Sequence, residues 1–164
     1  MGARFASGIV GGLVGGVVFG VLATVMTEVV VGDGVVTLMR LVGRAAGSGR
    51  LLLAWMIVLG IGALLGAIFG ILVGRREHDS SAVASYGLFY GLAIWLLVGF
   101  VAVPVELGVA PFAVAANPET WSWLPATLVA CLLFAGALAG TFIRLRGKRA
   151  APPVTSGRTL RRAA

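Results

Sequence analysis

The sequence is poor in the residues that do chemistry. Among its 164 residues there is one cysteine, Cys131, one histidine, His78, and only six carboxylates. A lone cysteine excludes an internal disulfide and any metal site made of cysteines alone. Cys131 lies in an apolar run, where a thiol serves as a small packing group. His78 sits between Glu77 and Asp79 in a short polar connection. A tight metal centre needs three or four converging ligands, so this reads as a solvated turn. No Walker loop, HExxH helix or spaced Ser/His/Asp set occurs, so neither an enzyme nor a bound cofactor or metal is expected. The glycine-rich opening, Gly8 to Gly16, has no strand before it and is not read as a dinucleotide site.

Charge is scarce as well. Only 12% of the residues are charged, against about 25% in soluble domains. Hydrophobic residues make up 59% of the chain, with mean hydropathy +1.04. They fall in long blocks rather than alternating, which marks a polytopic membrane protein. The clearest block is Leu51 to Gly74, free of charge, preceded by Arg50 and closed by Arg75-Arg76. A helix of that length crosses the roughly 30 Å hydrocarbon core of a bilayer.

Four spans are expected, at about 5–31, 51–74, 82–103 and 124–143. A signal-peptide reading of the first is set aside because its apolar run is too long and too rich in glycine. Pro104 marks the end of the third, and Trp121 and Trp123 suggest an interfacial belt at the start of the fourth. Between the first two spans, Asp33-Gly34 reads as a turn. Val35, Leu38, Met39 and Val42 then recur at helical spacing beside Arg40 and Arg44, suggesting an interfacial helix at about 35–44. Asp79, Ser80 and Ser81 offer an N-cap to the third span.

Glycine is abundant, at 25 residues, and regularly placed. Gly8, Gly12, Gly16 and Gly20 share one helix face, with Gly11 and Gly15 beside it; Gly62, Gly66, Gly70 and Gly74 share another. Gly87 and Gly91, then Gly136 and Gly140, repeat the four-residue spacing. Such faces let helix backbones approach closely, so these twelve positions are read as helix-packing sites. The two helical hairpins also share features: glycines near the starts of spans one and three, and a glutamate near the far end of each. That pattern suggests a parallel repeat.

The fold class is therefore all-α: a polytopic membrane protein whose four transmembrane helices pack as a glycine-rich bundle over residues 1–143. Residues 144–164 form a basic tail, expected to be disordered or to lie on anionic lipid headgroups rather than on nucleic acid. Arg4, Arg75, Arg76 and the seven Lys/Arg after residue 143 fall on one side, against Arg40, Arg44 and Arg50 on the other. The bias predicts a multi-pass protein of the cytoplasmic (inner) membrane with both termini inside.

Two carboxylates are candidates for a polar or transport site. Glu28 falls near the end of the first expected span, and Glu106 lies just beyond Pro104. A carboxylate at membrane depth is costly and often functional, but either could instead pair with an outer arginine.

From Ala54 to Arg146 the pattern resembles the small YagU-type multi-pass inner-membrane proteins and related four-helix families of unknown function. The likeness rests on the glycine-rich second span, Tyr90-Gly91, Trp95, Pro104, Gly108 and a last glycine-containing helix that ends in basic residues. It implies a membrane protein without catalytic activity. The chain also resembles small multidrug transporters, which have four helices and an essential glutamate in the first. Glu28 lies nearer its helix end than that role suggests, so this likeness ranks second. The resulting expectation is a structural or accessory membrane protein, partnered by lipid and by another membrane protein or a second copy of itself. The alternative is a small proton- or cation-coupled transporter using Glu28 and Glu106.

Overall fold

A computed structural model describes residues 2–25, 28–31, 34–73, 79–108, 110–113 and 123–150. Four of its helices are long and apolar enough to cross a membrane. The fold is an all-α, four-span bundle with one short hairpin at one end. Helix α1 spans Gly2–Val25. Strands β1 (Glu28–Val31) and β2 (Gly34–Thr37) follow, then the short helix α2 (Leu38–Ala45) and the long helix α3 (Leu51–Val73). Helix α4 runs Ser80–Glu106, and α5 runs Leu124–Ala150.

The outward faces are strongly apolar. Leu52, Met56, Leu64, Ile71, Leu72 and Phe89 are each more than 60% exposed. A soluble protein does not present such a continuous surface; hydrocarbon is its natural solvent. In hydrocarbon there is no hydrophobic drive to bring helices together, so close backbone packing must supply the association.

The glycines provide it. Moving up α1, Gly8 meets Gly66 and Gly70, Gly12 meets Gly62 and Gly66, and Gly16 meets Val58 and Leu59. Numbers rise on one helix as they fall on the other, so α1 and α3 are antiparallel. The fit leaves no room for side chains: a Cβ on Gly66 would lie 2.6 Å from the Gly12 Cα, and one on Gly70 would lie 2.7 Å from the Arg4 carbonyl oxygen. Gly20 instead makes space for the Trp55 ring.

A second face of α1 packs against α5, with Gly11 on the Leu138 backbone and Gly15 on that of Phe134. Helix α4 then lies on α5, where Gly87 meets the Ala139 methyl and Gly91 meets that of Ala135. The spatial order is thus α3, α1, α5, α4. Phe69, Val83, Phe134, Leu138 and Phe142 fill the core between them.

Several expectations are corrected. Helix α1 ends at Val25, and Glu28–Val31 leaves the span to pair antiparallel with Gly34–Thr37. Runs of β-branched valine on both sides of a Gly-Asp-Gly segment favour a hairpin over continued helix. The interfacial helix accordingly starts at Leu38 rather than at 35.

Helix α4 does not stop at Pro104. A π-helical turn at Val98–Ala102 precedes a last turn at Val103–Glu106. Proline has no N–H for the Phe100 carbonyl four residues before it, and the Phe112 N–H donates to that carbonyl at 2.8 Å. Helix α5 continues past 143 to Ala150, so the first seven residues of the expected tail are helical. The rest, 151–164, lies outside the described residues.

Candidate functional site

Helices α3 and α4 are neighbours in the bundle that touch only lightly. They meet around Tyr90, whose hydroxyl donates to the Leu65 carbonyl oxygen at 2.8 Å. Its ring lies 5.4 Å from that of Phe69. From there towards the hairpin end they diverge, because each is held by a different neighbour: α3 by α1, and α4 by α5. The gap is a cleft of about 570 Å³, within the roughly 300–1,000 Å³ range of small-molecule sites.

Its back wall is Phe19 of α1 and Phe134 of α5. Ile57 and Ile61 of α3 face Val98 and Val101 of α4 across it. Leu41 and Val42 of α2 roof the hairpin end. The roof is held from behind by Met39, fully buried against Ala54 and Val58. Arg40 and Arg44 are on the exposed side of α2, as the helical spacing of its apolar residues requires.

Among the described residues, Glu106 is the one charged residue lining the cleft. It is exposed, in the last turn of α4, at the same end as the α2 roof. Among the described residues no ion pair to it is formed. The structure places Glu28 in β1, with its backbone opposite Thr37. The two acids therefore belong to different elements, and Glu106 lines the cleft.

The roofed end is stiffened by aromatic groups. Trp95 and Phe100 meet edge to face at 5.3 Å, and Phe112 stacks on Phe100 at 6.1 Å. The Trp95 Nε1–H donates to the Leu124 carbonyl oxygen at 3.2 Å, tying α4 to the start of α5. Trp123, read from sequence as an interfacial residue, is instead 3% exposed, packed among Ala23, Leu38, Leu41 and Val103. Trp121 lies outside the described residues.

The packing glycines divide into groups. Gly8, Gly12, Gly62, Gly66 and Gly70 sit backbone to backbone; Gly16 is in ordinary contact; Gly20, Gly87 and Gly91 face side chains. Gly136 and Gly140 are corrected: no heavy atom lies within 4 Å of a Cβ placed at either. Ala135 and Ala139 make the α5 contact instead, one residue earlier in each case. Gly74 lies outside the described residues. Gly11 and Gly15 pack α5 although they were not among the twelve; their signal was the Gly-Gly pairs at 11–12 and 15–16.

At the opposite end of the bundle, Asp79 caps α4. Its Oδ1 accepts from the Ser81 hydroxyl at 2.7 Å and from the Ser81 and Ala82 N–H groups at 2.9 and 3.2 Å. The Ser81 hydroxyl first, then these N–H groups, hold its carboxyl below the ordinary 3.8. Cys131 is fully buried, in the packing position expected of it. His78 lies outside the described residues.

No family model matches the chain, and no curated protein or solved structure is similar to it.

Proposed function

We propose that this chain is a non-enzymatic structural or accessory protein of the cytoplasmic membrane, with both termini on the cytoplasmic side. The observation that supports it most is the lining of the α3–α4 cleft, where among the described residues Glu106 is the one charge beside apolar side chains. An ion or proton route across a bilayer needs a chain of polar groups or water to replace hydration. A cleft lined in this way suits apolar contact with lipid or a neighbouring helix. The position of Glu28 in a hairpin rather than within a span weighs the same way.

The test is ion flux in vesicles holding the purified full chain, with wild type beside the Glu28→Gln/Glu106→Gln double variant. Proton and monovalent-cation leak equal to that of protein-free vesicles is the expected result. Flux above that level which the double variant abolishes would sink the accessory reading and establish a coupled transporter. Thiol labelling adds a second arm, using single cysteines at positions 28 and 106 in a Cys131→Ala background. Equal labelling by small and large impermeant reagents is expected. Labelling by the small reagent alone would indicate a narrow hydrated vestibule.

A further inference from the structure

We infer that the α3–α4 cleft is a lipid site, which holds an acyl chain of a zwitterionic phospholipid whose headgroup ammonium pairs with Glu106. The inference concerns occupancy of the cleft and holds whether or not the chain moves ions.

Three features carry it. First, the cleft opens sideways. Its back is closed by Phe19 and Phe134, and its open side is the gap between two spans whose outer faces meet hydrocarbon. What enters from that side must be apolar and flexible enough to fill an irregular slot, as an acyl chain is.

Second, the opening stops at a defined depth. The Tyr90–Leu65 hydrogen bond and the Phe69 ring close it at one end, and α2 closes it at the other. A chain entering from the side would therefore have its polar end at the roof, beside Glu106.

Third, the rim at that end carries a carboxylate, Glu106. A headgroup of net negative charge would be opposed by it. A zwitterionic headgroup brings an ammonium, which can donate up to three hydrogen bonds to carboxylate oxygens.

The experiment is native mass spectrometry of the full chain released from detergent. The chain is first incubated with equal amounts of palmitoyl-oleoyl phosphatidylethanolamine and phosphatidylglycerol. Wild type should retain one phosphatidylethanolamine in preference to phosphatidylglycerol, by up to roughly fivefold, the scale of one partly exposed ion pair. Glu106→Gln should bring that ratio near one while a lipid is still retained. Ile61→Trp and Ala45→Trp fill the cleft from the α3 wall and from the roof. Each should lower retention of both lipids while helix content by circular dichroism stays at the wild-type level.

An unchanged lipid ratio in Glu106→Gln would overturn the headgroup assignment. Full lipid retention in both cleft-filling variants would overturn the site itself. A chain that instead runs as a dimer, and becomes monomeric on filling the cleft, would replace the lipid with a second copy as occupant.

Discussion

Tyr90 and Leu65 are joined by a hydroxyl-to-carbonyl hydrogen bond of 2.8 Å at the narrow end of the cleft. Leu65 lies on α3 and Tyr90 on α4, so this bond ties two neighbouring spans that otherwise touch only lightly. It lies beside the Phe69 and Phe142 rings, which meet edge to face at 5.9 Å. Arg146 in turn lies 5.5 Å over the Phe142 ring. Aromatic packing and this polar bond thus help fasten the bundle on the side away from the hairpin.

Tyr90→Phe keeps the ring and deletes the donor. Hydrogen bonds between spans contribute on the order of 0.6 kcal/mol each. We expect a small fall in the melting temperature of the purified chain, with the fold retained. Tyr90→Ala, which also removes the contact with Phe69, should lower it several times further. Equal effects from the two would show that the hydroxyl, not the ring, sets the α3–α4 distance.

Glycines of one spacing should respond oppositely to the same substitution. Gly66→Ala puts a methyl against the backbone of α1, 2.6 Å from the Gly12 Cα, and overpacking costs typically 1–3 kcal/mol or more, about the cost expected here. Gly136→Ala meets nothing within 4 Å and should gain about 0.5–1 kcal/mol from reduced backbone freedom. Thermal unfolding in detergent separates them.

Phe112 has a φ of +65°, a conformation that costs a side-chain-bearing residue about 1–2 kcal/mol and glycine almost nothing. Phe112→Ala and Phe112→Gly both lose the stacking on Phe100. Their difference isolates the backbone. We expect the glycine variant to be the more stable by about 1 kcal/mol. The alanine variant should also exchange its residue-112 amide hydrogen faster, and matching exchange rates would count against a strained backbone there.

The Asp79 cap sets a pH dependence. Its carboxyl lies below the ordinary 3.8 in the folded chain, so the ionised cap stabilises the start of α4 at pH values above that number. The contribution fades as pH falls through the lowered folded value. Wild type should therefore lose an increment of thermal stability in acid that Asp79→Ala, already lower at neutral pH, does not lose. Parallel stability curves for the two across pH 3–7 would remove the cap from the account.

Hydropathy is a property of each segment alone, and bilayer thickness converts it directly into span number. That is why the four spans, the amphipathic character of Leu38 to Ala45 and the cap at Asp79 could be read from the chain. The glycine spacing likewise indicated which faces are slim. What it left open was the partner of each face, since that is a relation between two helices. Gly136 and Gly140 have the same spacing as Gly62 and Gly66 yet touch nothing, because Ala135 and Ala139 are the residues of α5 that α4 meets. The hairpin at Glu28 went unseen because valine is as apolar in a strand as in a span. The π-helical turn before Pro104 depends on a donor eight residues further on, at Phe112. The cleft belongs to tertiary structure alone. It exists because the glycines of α1 hold α3 on one side and the small residues of α5 hold α4 on the other, leaving Glu106 at the mouth of the space between them.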